Sequence, residues 1–367
     1  MTRLAPLEAL REAAQLPLSA WPTRYAGFRG IGVMCTYVPD EMLHAAGFTP
    51  VRLRCKGTPV RFADGHLPSY TCALCKSTLD QQLAGELGEL AATVFAHTCD
   101  TMQALADLWP MSSITADSVP IVMQPANLGS ASARTYLLAE MTRLRGQVEQ
   151  LAARPLHDRD LRASIDLYDE TRRLTRALGM HRERLHADAF FAVLDAAQAM
   201  PRTLFNPLLS ALLSGLDAAP VIARGPRLFL AGALLSDPRL VELIEELGAH
   251  VAGDDLCTGS RHFVGQVGSF GDPVANLVDY YLQRAPCPSK RHPSHNAATM
   301  LLEKLHDVRA DGVLFLLDKF CEPHAFEYAL LQPALEQAGI PHIALETEQP
   351  PNIEGLRTRL QAFLEML

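Results

Sequence analysis

Eight cysteines are the residues in this 367-residue chain with the clearest chemical potential. Three of them follow apolar stretches at equivalent places: Cys35 after GIGVM, Cys99 after TVFAHT and Cys321 after VLFLLDKF. Acidic or proline residues come next in each case and suit the first turn of a helix. A helix N-terminus carries partial positive charge and lowers the pKa of a nearby thiol, and thiolates are the form that binds iron or zinc.

The stretches around these cysteines belong to a repeated unit of short apolar strand, helix, turn and next strand. Such alternation predicts βαβ units with a parallel sheet, and the continuous apolar strands predict that both sheet faces are covered. We therefore predict an α/β protein with two doubly wound parallel-sheet domains of the flavodoxin- or Rossmann-like kind. The predicted divisions are an N-terminal α/β domain (1–128), a helical segment (129–220) and a C-terminal α/β domain (221–367).

The three equivalent cysteines are expected at the edge of each sheet where ligands bind. In open parallel sheets, ligands bind beyond the carboxyl ends of the strands. If the two sheets face each other, Cys35, Cys99 and Cys321 can converge on one cleft. Three thiolates could hold a 4Fe-4S cluster there and leave one iron open to another ligand. A single cysteine at a strand end would more simply be a small buried hydrophobe.

The other cysteines leave several alternatives open. Cys72 and Cys75 form a CxxC, but the second pair of a zinc knuckle and the strand that precedes a thioredoxin motif are both missing. Cys257 also follows a strand and is a weaker candidate ligand. Cys287 lies in a proline-rich loop, and Cys55 ends a strand and is expected to be structural.

Other motifs favour or exclude particular chemistries. The sequence has no Walker A motif, no GxGxxG after a strand, no GxSxG elbow and no Ser-His-Asp triad, so ATP hydrolysis by this chain and an α/β-hydrolase reaction are not expected. The glycine-rich loop 265–273 could cradle a phosphate and the basic run 290–292 could contact CoA phosphates, although ordinary loops explain both. Polar residues expected near the cleft are Thr36, Tyr37, Ser77, Asp255 and Arg261, whereas His97, His324 and His342 are expected to be structural.

Composition excludes some partners. The net charge is −8 with no long run of one sign, which argues against non-specific nucleic-acid binding and against a polybasic membrane patch. Glu8 and Glu12 interrupt any signal-peptide core, and no stretch reaches the ~18 apolar residues of a membrane span. We therefore expect a soluble, cytoplasmic protein with reduced thiols.

Several segments, in order along the chain, resemble the 2-hydroxyacyl-CoA dehydratase and benzoyl-CoA reductase family. The N-terminal segments are CTYVPDEMLHAAGFTPVRL, YTCALCKSTLDQQLAGEL and HTCDTMQALADLW. The C-terminal segments are DDLCTGSRHF, APCPSK, LLDKFCEPHAFEYALL, AGIPHIALETE and LRTRLQAFLE. The resemblance covers most of the chain and is weakest in the helical middle.

The resemblance implies an anaerobic, oxygen-sensitive iron–sulfur enzyme of two related subunits, acting on an acyl-CoA. In that family each subunit typically carries a cluster held by three cysteines, and a separate iron–sulfur ATPase, the activator, injects one low-potential electron. In the dehydratases this electron turns the thioester carbonyl into a ketyl radical anion that expels the 2-hydroxyl group; in the reductases it reduces an aromatic ring. Carried over by position, the implied cluster ligands are Cys35, Cys99 and Cys321, with four alternative ligands in Cys72, Cys75, Cys257 and Cys287.

The partner subunit is either a related chain or a second copy of this one. Three other functions stay open. Related double-cubane proteins join two clusters through a sulfide, need six cysteines and reduce small molecules. A non-catalytic subunit would only relay electrons or stabilise its paralogue. A zinc-stabilised binding protein would be colourless, whereas an iron–sulfur protein is brown.

Overall fold

Two four-stranded, all-parallel sheets form the framework of the protein. The computed structural model describes residues 5–112, 120–235, 237–268, 270–285, 287–348 and 350–367. The first sheet contains β1 (Gly30–Val33), β2 (Thr49–Arg52), β3 (Leu90–His97) and β4 (Ile121–Met123). The second contains β5 (Arg227–Gly232), β6 (His250–Asp255), β7 (Gly312–Asp318) and β8 (His342–Thr347).

Helices connect and cover the strands. Among those described, none combines the length and apolar character needed to cross a bilayer. The α-helices are α1 (Ala5–Gln15), α2 (Trp21–Arg24), α3 (Asp40–Ala45), α4 (Ala73–Leu83), α5 (Asp100–Ser112), α6 (Ala133–Ala152), α7 (Asp158–Gly179), α8 (Ala187–Ala197), α9 (Arg202–Leu216), α10 (Arg239–Glu246), α11 (Pro273–Gln283), α12 (Ala297–Asp307), α13 (Glu322–Gln337) and α14 (Ile353–Leu364).

Both sheets have the same topology. The strand orders are β2-β1-β3-β4 and β6-β5-β7-β8, so the direction of winding reverses between β1 and β3 and between β5 and β7. This doubly wound arrangement confirms the predicted fold class. Gly232 ends β5 at such a reversal with φ +117°, and a Cβ atom there would lie 2.2 Å from the Leu316 carbonyl oxygen of β7. Only glycine lets the two strands stay this close at the edge where ligands bind.

Each sheet is covered on both faces, and the covering helices come from distant parts of the chain. The first sheet packs against α3, α6, α7 and α11 on one face and against α4 and α5 on the other. The second packs against α1, α8, α9, α10 and α14 on one face and against α12 and α13 on the other. The N-terminal α1 therefore covers the second sheet, and α11 crosses back to the first. The domain boundaries drawn from the sequence stay predictions.

Candidate functional site

Three cysteines form the first of two thiol groups at the carboxyl edges of the sheets. This first thiol group consists of Cys72, Cys99 and Cys321. Burial, followed by repulsion from Cys72, raises the pKa of Cys99 to about 11. Burial and then Cys72 also raise the pKa of Cys321, with Cys99 adding to the effect. These mutual effects show that residues from both sheets face one another here, because like charges perturb each other only at short range.

Each cysteine of the first thiol group stands at a helix N-terminus. Cys72 and Cys321 are the N-cap residues of α4 and α13, and Cys99 directly precedes α5. The sulfur of Cys99 accepts hydrogen bonds from first-turn backbone amides, as does that of Cys321 from the amide of His324. A hydrogen bond from the fully buried Cys75 lowers the pKa of Cys72. Three helix N-termini thus direct partial positive charge at one point, which favours thiolates and other anions.

The turn before Cys321 is strained. Phe320 has φ +67°, although it is neither glycine nor asparagine, and its side chain is 46% exposed. A bulky residue in the left-handed region costs about 1–3 kcal/mol and is found mainly at functional sites. The strain brings Cys321 to the helix N-terminus directly after β7.

The second thiol group consists of Cys35, Cys257 and Cys287. Burial raises the pKa of Cys35, Arg52 opposes that rise, and Cys257 adds to it. Burial, followed by Cys257, raises the pKa of Cys287 to about 11. The guanidinium of Arg52 donates from Nη2 to the sulfur of Cys257 at 3.4 Å. Strand ends of both sheets and the loop after α11 therefore supply this group.

The two thiol groups adjoin. Cys287 of the second group contributes to the raised pKa of Cys99 in the first. Lys290 interacts electrostatically with Cys35, Cys287 and Cys99, and its Nζ donates to the His97 and Gln124 carbonyl oxygens at 3.2 and 3.1 Å. The structure therefore places Cys99 and Cys321 in one group and Cys35 in its neighbour.

Buried thiols in two groups of three are a donor set that could hold an iron–sulfur cluster. Over the described ranges, no three His, Cys, Asp or Glu side chains are arranged as ligands of one ion. A tetrahedral zinc site draws all its sulfurs to one centre. A cluster spaces them more widely, because each thiolate binds a different iron. Buried thiols, helix N-termini and the cations Arg52 and Lys290 suit such an anionic group.

Most of the polar residues expected near the cleft are accounted for. Thr36 and Tyr37 continue the turn after Cys35, and the hydroxyl of Tyr37 accepts the amide N–H of Cys287 at 3.2 Å. Asp255 pairs with Arg261 at 2.9 Å, and Arg261 partly opposes the rise in the pKa of Cys287. Ser77 lies in α4 and accepts the Lys56 amide N–H at 3.1 Å, a structural role.

The loop predicted as a phosphate cradle binds an internal carboxylate. The amides of Val267 and Gly268 donate to Asp169 at 2.9 Å each. In the basic run, Lys290 faces the thiols. The backbone of Arg291 forms a parallel β-bridge with that of Asn127, and the ring of His292 packs on the ring of His295 with centroids 4.1 Å apart.

Sequence reasoning missed a buried charge network behind Cys35. In this network, Arg172 forms ion pairs with Glu41 and Asp169. Arg202 pairs with Asp40 and also donates a hydrogen bond to the backbone carbonyl oxygen of Met200. Next to it, His262 Nδ1 and Thr36 Oγ1 lie 2.8 Å apart. The only signal in the sequence is an arginine on the buried face of α7, in DETRRLTR. The helical periodicity of the apolar residues identifies the buried face of α7, but the charge of an arginine does not show whether its side chain is buried.

Asp40 makes stability depend on pH. Burial, partly offset by Arg202, raises the pKa of Asp40 to about 6, from 3.8. An acid with a raised pKa takes up its proton more readily when folded, so stability falls as the pH rises from about 4 to about 6, by about 3 kcal/mol in total. Asp40→Asn should therefore be more stable than wild type at pH 7.5, and the gap should shrink on going to pH 5. Anaerobic urea unfolding at both pH values measures it, and a pH-independent gap would contradict the shift.

Comparisons with known proteins agree with this architecture. The family model for the 2-hydroxyglutaryl-CoA dehydratase D-component matches residues 35–367. Curated relatives include the lactoyl-CoA dehydratase subunit beta of Anaerotignum propionicum, 27% identical over 99% of both chains. The (R)-phenyllactyl-CoA dehydratase beta subunit of Clostridium sporogenes is 25% identical over 93% of this chain and 92% of its own. A benzoyl-CoA reductase subunit of Thauera aromatica is 25% identical over 99% of this chain and 97% of its own.

These relatives are subunits of dehydratases and of a reductase, and they align with both sheets and with the helices between them. The family match covers all eight cysteines. The chain belongs to the 2-hydroxyglutaryl-CoA dehydratase D-component family.

Proposed function

We propose that this chain is an iron–sulfur subunit of a radical-type acyl-CoA enzyme, a 2-hydroxyacyl-CoA dehydratase or a benzoyl-CoA-type reductase. The observation that supports the proposal is that six cysteines from both sheets form two adjoining thiol groups. Burial raises the pKa of Cys99 and of Cys287 to about 11, so these thiols would release their protons on binding iron. Family membership supplies the acyl-CoA part of the proposal.

The cluster ligands proposed from the sequence are Cys35, Cys99 and Cys321, with Cys72, Cys75, Cys257 and Cys287 as alternatives. Because Cys72 lies in the first thiol group with Cys99 and Cys321, we propose Cys72 as the first alternative to Cys35. A bound 4Fe-4S cluster would supply one low-potential electron and an open iron to a CoA thioester. The chain's own residues bind and shield that centre. Helix N-termini stabilise the thiolates, and Arg52 and Lys290 stabilise negative charge in the cleft. Burial excludes water, which protects radical chemistry from side reactions.

The proposed partners follow the family. The relatives are named as subunits, and we propose that this chain works with a related second subunit or with a second copy of itself. A separate iron–sulfur ATPase activator would deliver the electron, since the sequence has no Walker A motif of its own. An oxygen-sensitive cluster and reduced thiols suit the cytoplasm.

The test is anaerobic purification followed by analysis of iron and acid-labile sulfide. A single cluster predicts about four irons and four sulfides per chain and a brown protein that bleaches on reduction. Turnover of hydroxyacyl-CoA and aromatic acyl-CoA, with activator, ATP and partner subunit, then distinguishes dehydration from reduction. Stoichiometric zinc without sulfide would overturn the proposal. A full cluster without turnover under any of these conditions would indicate the non-catalytic relay subunit.

A second candidate is a double-cubane reductase of small molecules. The specific observation in its favour is that six thiols form two adjoining groups of three, which is the number that two linked clusters require. Helix N-termini surround the first thiol group and cations surround the second, so each could hold its own cluster. Iron analysis separates the two candidates, because the double cluster predicts about eight irons per chain.

A further inference from the structure

Backbone carbonyls hold the ammonium group of Lys290 at the edge of the first sheet. Its Nζ donates to the carbonyl oxygens of His97 and Gln124 at 3.2 and 3.1 Å. Both oxygens lie at the carboxyl ends of neighbouring strands, because His97 ends β3 and Gln124 directly follows β4. An ammonium has three N–H donors, so among the described residues one donor is left for a further acceptor. Lys290 therefore places a unit charge at the edge where ligands bind in such sheets.

The backbone around Lys290 is fixed on both sides. Its own amide donates to the carbonyl oxygen of Cys287 at 2.7 Å and closes a turn. The next residue, Arg291, donates to the carbonyl oxygen of Ala126 and accepts from the amide of Leu128, both at 2.7 Å. The charge is therefore held in one place, unlike that of a lysine on a flexible stem in solvent.

Thiols of both groups surround this charge. One of the carbonyls that accept from Lys290 lies two residues before Cys99. The intervening Thr98 has its Oγ1 atom 3.8 Å from the sulfur of Cys35. Cys287 lies at the other end of the turn that carries Lys290, and all three cysteines interact electrostatically with the ammonium. One cation is therefore shared by members of the first thiol group and of the second.

Within the described ranges, no carboxylate balances this charge, because the acceptors of the ammonium are neutral carbonyl oxygens. A partly buried cation without a counter-charge is unfavourable, and an anionic group beside it is stabilising. A cluster bound by thiolates is such a group, and it gains one more negative charge on reduction. Burial lowers the pKa of Lys290, but negative charge on the neighbouring cysteines opposes that change, so a bound cluster keeps the ammonium protonated.

We propose that Lys290 is a positioning residue that sets the reduction potential of the bound iron–sulfur cluster, as a fixed cation that favours the reduced, more negative state. The local charge is one of the properties that set such potentials. The electron comes from the activator, and Lys290 itself forms no bond and transfers no proton. This inference deepens the proposed function and rests on it, since it requires a bound cluster. It holds for one cluster or two, because Lys290 faces both thiol groups.

The test is a redox titration of anaerobic, iron-replete protein, followed by electron paramagnetic resonance. Lys290→Met keeps the length of the side chain and removes its charge, so the reduced cluster loses a stabilising cation. At a given applied potential, the ratio of reduced to oxidised cluster should fall roughly tenfold, which for one electron is a shift of about 59 mV to more negative potential. Lys290→Arg keeps the charge and should stay within about threefold of wild type, or about 28 mV.

Two further variants separate charge from structure. Lys290→Gln keeps a donor for one of the carbonyl oxygens but carries no charge, and it should shift the potential as Lys290→Met does. Arg173→Met removes a positive charge from the exposed face of α7 and serves as the control. Its potential should stay within about threefold of wild type, because solvent and salt screen a distant surface charge.

A potential within about threefold of wild type in the iron-replete Lys290→Met or Lys290→Gln protein would overturn the inference. A shift in Lys290→Arg as large as that in Lys290→Met would do the same, as would loss of iron from both neutral variants, because the side chain would then act through structure alone. Failure of the proposed function would show differently: the wild-type protein would contain no iron or sulfide, and there would be no cluster potential to measure.

Discussion

Cys99→Ala and Cys321→Ala should each lose most of the iron from anaerobically purified protein, and Cys35→Ala should do the same. A cluster held by three thiolates cannot keep its geometry on two, and the helix N-termini at Cys99 and Cys321 would then face a neutral methyl group. The thiol side chain is small, so the fold should tolerate the change at a cost of about 1–2 kcal/mol. Iron and sulfide per chain, with circular dichroism as a check on folding, measure the effect.

The remaining cysteines turn this experiment into a map of the ligands. In the single-cluster enzyme, alanine at Cys257 or Cys287 should leave the iron in place, whereas the effect of Cys72→Ala compared with that of Cys35→Ala shows which of the two is the third ligand. In the double-cubane protein, each of these variants should lose about half of the iron or more, because two clusters with three thiolates each would share six ligands. Cys55→Ala is the control that should keep full iron in both cases. Full iron in the variants of Cys35, Cys99 and Cys321 would reject the ligand assignment.

Arg172→Met should destabilise the protein by about 3–5 kcal/mol, because it leaves a buried carboxylate without its partner. Arg172 pairs with Glu41, whose side chain is 0% exposed, and with Asp169 at 2.7 Å. Asp169 keeps the loop amides of Val267 and Gly268 as donors, but Glu41 has no other hydrogen bond among the described residues. Anaerobic denaturant unfolding, compared at equal iron content, measures the loss.

The neighbouring arginine provides a matched control. Arg173 pairs with Glu170 on the exposed face of the same helix, with side chains 58% and 42% exposed. Arg173→Met should change stability by no more than about 0.5 kcal/mol, because surface pairs contribute little. The double variant Arg172→Met/Glu41→Gln should recover part of the loss, since it removes the unpaired charge. Equal effects of the two single arginine variants would contradict the buried-pair explanation.

Apolar patterning was sufficient to predict the sheets. All eight stretches proposed as strands, from GIGVMC to IPHIALE, are strands, because buried parallel strands must be apolar on both faces and end at turn residues. Sequence did not predict that α1 covers the second sheet or that α11 crosses to the first. Helices present similar apolar faces, and which sheet each one covers depends on shape complementarity between distant segments.

The sequence by itself determined the α/β class, the placement of Cys35, Cys99 and Cys321 at strand ends, and the family resemblance, because these depend on local periodicity and residue order. Only the tertiary structure decided which thiols are neighbours. It grouped Cys99 and Cys321 with Cys72, and Cys35 with Cys257 and Cys287. Such proximity depends on how the two sheets face each other, and hence on contacts between residues far apart in the chain. The buried arginines behind Cys35 were hidden for the same reason: a charged residue reveals its partner only once folding has brought the two together.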